Sequence, residues 1–139
     1  MSVSLDVIAL IGTTLAAVPE LAEVSNSPRW LDPQEHGFPA AFYYSMPDRR
    51  HYVGIGGDIE IEGTARIEIV FLADQMGKIE TATHAARDAL AAAFPTFRNT
   101  LKVDIDGAPI TGEPAVFEAD GTYYGASQID VFWSYGVTA

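Results

Sequence analysis

The sequence has no cysteine and few basic residues: 8 lysines and arginines stand against 19 aspartates and glutamates in 139 residues. The missing thiols exclude disulfides, thiolate metal sites and a cysteine nucleophile. The formal net charge of −11 disfavours phosphate binding, because each neutralised phosphate needs a cation. We therefore expect neither electrostatic binding to nucleic acid nor docking on anionic lipid. Such a charge favours solubility or the repulsion of polyanions.

The length fits one domain, which we place at residues 1–139. Hydrophobic residues make up 48% of the chain, enough for an ordinary globular core. The apolar stretch from Leu5 to Val18 follows no lysine or arginine and contains Asp6, so we do not expect a secretory signal. It is also shorter than the ~20 residues that span a bilayer. The expectation is a soluble intracellular protein.

The first third of the sequence predicts one helix, a loop and a short strand. Apolar residues recur every three or four positions from Ser4 to Val18, with Ser4 placed to cap the helix. Turn-forming dipeptides predict a loop over residues 25–39. The apolar and aromatic run Ala40–Ser45 then predicts a buried strand.

The middle third predicts a strand followed by a helix. From Asp58 to Phe71 apolar and polar residues alternate, as in a strand with one wet face. Glu62-Gly63 is compatible with a tight hairpin turn inside this stretch, and a longer excursion through residues 46–63 is equally compatible. A stripe of alanines predicts a helix from Lys78 to Phe94, and Pro95 is expected to end it.

The last third predicts strands alone. Asp106-Gly107 and Asp120-Gly121 are two-residue turn signals. Pro109 makes the arm after the first turn either an edge strand or an irregular one, and residues 111–114 are expected to be loop. The alternating segment Gly125–Tyr135 is the final strand. Helices set against a mostly antiparallel sheet define an α+β fold, with an N-terminal helix and one central amphipathic helix.

The sequence contains no recognisable catalytic or metal-binding motif. The histidines His36, His51 and His84 lack a second ligand at metal-type spacing. Carboxylates on a wet strand face are usually just solvated, whereas catalysis needs two with different environments. The glycines at 54–57 miss the third glycine of a phosphate loop, and the aromatic residues of the final strand lack the basic groove that base stacking requires. We expect no catalytic residue, metal or cofactor.

The order of segments resembles that of the tail terminator, or tail completion, proteins of long, non-contractile-tailed phages and related phage-derived particles. The resemblance covers most of the chain. Three segments carry it: the turn and strand Phe38–Tyr43, the strand Ala65–Leu72, and the tyrosine-rich final strand Gly125–Tyr135.

The resemblance implies a structural virion protein without catalytic residues or a cofactor. Tail terminator proteins form a hexameric ring at the head-proximal end of the tail tube, where the ring stops tube polymerisation and joins the tail to the neck. The implied partners are further copies of the chain, the tail tube protein and a head-completion or connector protein. The implied location is the virion tail, after assembly in the host cytoplasm, with DNA passing through the lumen and no membrane involved.

Within this interpretation the acidic residues gain a role, because a negative lumen wall would repel DNA phosphates. The residues expected to face the lumen are Asp58, Glu60, Glu62, Asp104 and Asp106. The residues expected at subunit interfaces are Arg49, Arg50, His51, Tyr52, Pro109 and Ile110. Two alternatives stay open. One is a head–tail connector or tail tube protein of the same particle; the other is a small acidic ligand-binding domain, marked by a pocket that holds convergent carboxylates or His51.

Overall fold

The computed structural model describes residues 3–28, 37–52 and 58–137. It confirms the α+β class. The helices are α1 (Val3–Ala16) and α2 (Ile79–Leu101), and a 3₁₀ helix spans Ala73–Lys78. The strands are β1 (Glu23–Asn26), β2 (Ala40–Ser45), β3 (Arg49–Tyr52), β4 (Ile59–Leu72), β5 (Asp104–Gly107), β6 (Ile110–Ala119) and β7 (Thr122–Val137). No helix in the described ranges is long and apolar enough to cross a bilayer.

All seven strands belong to one mixed sheet built around the antiparallel pair β4 and β7. On one side, β4 pairs with β2 along its second half and with β3 along its first half, and β1 adds a parallel edge next to β2. On the other side, β7 pairs with β5 and then with β6. Within the described ranges five strand rows result, and the pair β1–β2 alone is parallel.

Both helices pack on one face of the sheet, which we call the helix face. Its core joins α1 and α2 to the inward residues of the central strands, as the alternation predicted; they are Ala65, Ile67, Ile69, Phe71, Ile129, Val131 and Trp133. The opposite face has no helix over it within the described residues, and we call it the open face. One end of the open face carries a second, smaller apolar cluster around Phe42, Val70 and Tyr124.

Ser4 does not cap α1, contrary to the prediction. The helix already includes Val3, and the Ser4 hydroxyl is buried between two other side chains. It donates to a carboxylate oxygen of Asp48 at 3.0 Å and accepts from the indole Nε1 of Trp133 at 3.1 Å. The residue therefore fixes the first turn of α1 to the sheet.

One further prediction, and one of the two alternatives left open for residues 46–63, fail because strand pairing overrides local signals. The predicted loop at 25–39 begins with β1, which gains strand geometry by parallel pairing with β2. Glu62-Gly63 is no turn: β4 runs through it without interruption, and a Cβ on Gly63 would overlap the Trp133 indole that lies against it. A residue without a Cβ at this position leaves room for the indole ring.

The helix predicted to stop at Pro95 continues to Leu101. Pro95 is exposed, so the lost backbone hydrogen bond is on the solvent side. Beyond it Phe97 is fully buried, and Arg98 donates from Nε and Nη2 to the Ile105 carbonyl at 3.1 and 3.0 Å. These contacts hold the last two turns in place.

The segment after α2 also differs from the prediction. Asp106-Gly107 does not reverse the chain, because β5 and β6 follow one another along the same side of β7 with a register shift at Ile105/Gly107. Residues 111–114 are counted within β6, again with a register shift, instead of forming a loop. The edge position of Pro109 and the turn at Asp120-Gly121, with φ of 50° and 80°, are confirmed.

Candidate functional site

The strand register brings several of the singled-out residues into one row on the open face. Arg49 lies opposite Glu62, Glu62 opposite Ser134, and Ser134 opposite Asp104. With adjacent strands about 4.8 Å apart, the Cα atoms of Glu62 and Asp104 are roughly 10 Å apart. Glu60 lies on the same face, two residues along β4.

A half-open groove with a volume of about 610 Å³ follows this row, and we call it the acidic groove. Its wall carries the carboxylates of Glu60, Glu62 and Asp104 together with two arginines, Arg49 from β3 and Arg98 from the end of α2. The sequence singled out the carboxylates, but not Arg98, Phe132 or Ser134 as their neighbours. The alternation in β7 was the available signal for Ser134; nothing local indicated that α2 would reach the groove.

His51 lies beside this groove and pairs with one of its carboxylates. The Nε2 atom of His51 is 3.3 Å from Oε2 of Glu62, and both side chains are 44% exposed. His84 is exposed on α2, as the sequence predicted. His36 lies outside the described residues. Within the described ranges, no group of three His, Cys, Asp or Glu residues could hold a metal ion.

Two further residues were expected to face the lumen, Asp58 and Asp106. Asp58 is exposed immediately before β4. Of Asp106 the structure describes the backbone within β5, while its side chain lies outside the description. The lumen expectation is therefore carried by Glu60, Glu62 and Asp104.

The residues expected at interfaces fall into two separate places. Arg49, Arg50, His51 and Tyr52 form β3, all exposed, and β3 pairs with β4 along one side only in the described part of the chain. Pro109 and Ile110 lie on the opposite edge row. Pro109 is exposed and its carbonyl accepts the backbone N–H of Asp130 at 3.1 Å, whereas Ile110 is half-buried opposite Ile129.

A polar network that the sequence did not single out occupies the middle of the open face. Arg66 Nε donates to Asp130 Oδ1 at 3.2 Å across the β4–β7 pair, and Gln128 Nε2 donates to Asp130 Oδ2 at 3.3 Å. The hydrogen bond to Asp130 raises the pKa of Arg66 above its usual value, although burial acts in the opposite direction. The network keeps the open face polar between the acidic groove and the apolar cluster.

Replacing Asp130 by asparagine is expected to lower the free energy of unfolding by about 1–2 kcal/mol. The Asp130 carboxylate is only 10% exposed, so the loss of its ion pair with Arg66 should be measurable, while partial solvent screening of that pair limits the cost. Urea denaturation at a fixed protein concentration measures this change in the free energy of unfolding. The matched control is Asp88→Asn, which removes a carboxylate 69% exposed from its pair with Arg87 and should cost under about 0.5 kcal/mol. Equal effects of the two substitutions would contradict a structural role for the network.

Three rings close the other end of the open face. Tyr124 is 1% exposed, stacks on Phe117 with centroids 5.6 Å apart, and meets Phe38 at the same centroid distance. Phe42 and Val70 complete the cluster. The open face therefore runs from an apolar end, through the Arg66–Asp130 network, to the acidic groove.

Large apolar side chains are also exposed at both ends of the helix face. At one end Tyr52, Ile59 and Val137 form a row across β3, β4 and β7, with Tyr52 83% and Val137 40% exposed. At the other end Val116 and Tyr123 are 61% and 58% exposed beyond the 3₁₀ helix. Leu5 on α1 and Phe132 on the open face are exposed as well. Clusters of exposed apolar side chains such as those at the two ends are typical of association surfaces.

The comparisons with known proteins leave the family open. No model of a protein family matches the chain, and no curated protein matches its sequence.

Proposed function

We propose that the chain is the subunit of a ring at the head-proximal end of a phage tail tube, which ends tube polymerisation and joins the tail to the neck. The observation that carries this proposal is the acidic groove on a sheet face that no described helix covers. The order of helix, strands, helix and strands is the one that the resemblance to tail terminator proteins implies. Exposed apolar ends favour a chain that associates with copies of itself.

In such a ring the helices would lie outside and the open face would line the channel. Glu60, Glu62 and Asp104 would then present carboxylates to the lumen, and six copies would carry a formal charge of six times −11, or −66. Because the three carboxylates outnumber Arg49 and Arg98 in the groove, DNA leaving the head would meet a wall of its own sign and pass without sticking. The partners would be the tube protein on one side and the connector on the other, with no cofactor.

Reversing the groove charges should turn a repelling channel into a binding one. We expect the wild-type protein to show no binding to a fluorescent linear DNA duplex by anisotropy. The triple variant Glu60→Lys, Glu62→Lys and Asp104→Lys should bind it, with an affinity that falls steeply with salt, because several phosphates are neutralised per ring.

The control is a second triple variant with the same net charge. It replaces three exposed carboxylates away from the open face, by Glu20→Lys, Asp74→Lys and Asp88→Lys. Like the wild type, this variant should not bind DNA. If both triple variants bind DNA equally well, net charge alone decides binding and the groove does not line a lumen.

Imaging separates the proposal from its nearest alternatives. Negative-stain micrographs of the purified protein should show discrete rings with a central hole. Long polymers would favour a tail tube protein instead. A head–tail connector would also form rings, but it would not cap the growing end of tail tubes when the two are mixed.

The acidic groove also favours one alternative from a different class, a small ligand-binding domain. Convergent carboxylates beside an aromatic ring, here Phe132, are suited to a cationic organic ligand. That function predicts a monomer whose melting temperature rises with millimolar diamine, and whose response disappears in Glu62→Gln. A ring that does not respond to diamines would exclude it.

A further inference from the structure

The two exposed apolar ends of the helix face carry opposite charges. The first, which we call the β3 end, combines Tyr52, Ile59 and Val137 with the exposed side chain of Arg50. Arg50 lies two residues before Tyr52 in β3 and therefore on the same face of the sheet. The second, the hairpin end, combines Val116 and Tyr123 with the exposed side chain of Glu118, which lies directly opposite Tyr123. Each end therefore combines apolar side chains with exposed charge, Arg50 at the β3 end and Glu118 at the hairpin end. Asp48, two residues before Arg50, accepts a hydrogen bond from the Ser4 hydroxyl of α1.

The β3 end is unusual in a chain of net charge −11. Arg49-Arg50 is the only pair of adjacent basic residues in the sequence, and their side chains point to opposite faces of β3. Arg50 therefore lies on the helix face beside Tyr52. The hairpin end is acidic throughout, because Asp120 in the turn adds to Glu118.

The two ends lie far apart on the molecule. Both lie along β7, where Tyr123 near the start and Val137 at the end are 14 residues apart, about 46 Å at ~3.3 Å per residue. Neither end can reach the other within one chain. Between them the helix face is covered by α1, α2 and the 3₁₀ helix, whose Met76 lies against Gly125.

Building on the proposed ring, we infer that the β3 end of one copy docks on the hairpin end of the next. Tyr52 and Val137 would pack on Val116 and Tyr123, and Arg50 would pair with Glu118. The partner is a second copy because one chain carries both complementary halves. Contacts between like ends are disfavoured: two β3 ends would bring Arg50 close to Arg50, and two hairpin ends would bring Glu118 close to Glu118.

Such a contact is head-to-tail, since it joins two different surfaces. Head-to-tail contacts do not end in a dimer; they close into a ring when the rotation between copies allows it. The contact also leaves the acidic groove free, because that groove lies on the open face. The same subunit can therefore associate through one face and present its carboxylates on the other.

Charge reversal tests the contact directly. Arg50→Glu and Glu118→Arg should each raise the half-assembly concentration at least tenfold, because each opposes like charges across every contact. Mixed in equal amounts, the two variants should assemble again, in alternation, since the carboxylate introduced in one variant then meets the guanidinium introduced in the other. Sedimentation velocity at matched concentrations measures all three samples.

The controls are Arg87→Glu, at a half-buried residue of α2 whose side chain is 41% exposed, and Glu20→Arg, at an exposed residue. Both positions are away from the two ends, and both variants should assemble as the wild type does. Single variants that still assemble, or a mixture that stays dissociated, would overturn the contact while leaving a ring built through other surfaces intact. The opposite combination is also informative. If the mixture assembles again but both triple-lysine variants bind DNA equally well, the contact is supported and the proposal that the acidic groove lines the lumen is contradicted.

Discussion

Replacing Phe97 by alanine is expected to lower the free energy of unfolding by about 3–5 kcal/mol, the cost of a cavity the size of a phenyl ring in a packed core. The ring is fully buried and meets Phe94 edge-on, with centroids 6.3 Å apart. It lies two residues beyond Pro95, so its burial is what holds the last turns of α2 against the sheet. Urea denaturation followed by circular dichroism, at one protein concentration for every variant, measures the loss.

The matched control is Phe132→Ala, which removes the same ring from a side chain that is 46% exposed. Its expected cost is below about 1 kcal/mol, because little apolar surface leaves the interior. A cost below about 1 kcal/mol for Phe97→Ala as well would mean that the end of α2 is not docked, and that Pro95 ends the helix after all.

A methyl group on Gly63 should cost about 2–3 kcal/mol, through overpacking and not through backbone strain. The new Cβ would overlap the indole of Trp133, which is 3% exposed. A displaced indole would also lose its hydrogen bond to Ser4, the residue that fixes α1. The Gly63→Ala variant is compared with the wild type in the same urea experiment.

Gly136→Ala is the matched control, because Gly136 also lies in a long strand of the same sheet and a Cβ there meets nothing within 4 Å. It should change stability by less than about 0.5 kcal/mol. The Gly63→Ala cost should also shrink in a Trp133→Phe background, where a smaller ring leaves room for the methyl. Equal costs for both glycines would contradict the close approach of the indole.

Regular alternation and the alanine stripe were sufficient to predict the central strands and the start of α2, because those signals agree with what tertiary packing requires. The failures share one cause. At Glu62-Gly63, Pro95 and Asp106-Gly107 a local turn or breaker signal was correctly recognised, and a distant partner overrode it: Trp133, the burial of Phe97 and the long strand β7. A single sequence holds no record of such partners.

The candidate site divides in the same way. The carboxylates Glu60, Glu62 and Asp104 were singled out from composition and alternation. Their convergence depends on strand register, which joins residues more than 40 positions apart. Arg98 reaches the acidic groove only because α2 runs past its proline. The Arg66–Asp130 pair was invisible for a similar reason: both residues lie on wet faces in the alternation, and only the β4–β7 register places them together.

Native mass spectrometry measures whether this chain closes into a ring of its own copies. A subunit of 15.0 kDa predicts a dominant species of six copies, near 90 kDa, whose mass stays the same as the protein concentration rises. A single 15.0 kDa species at every concentration would contradict a ring of copies. So would a ladder of masses that grows without limit.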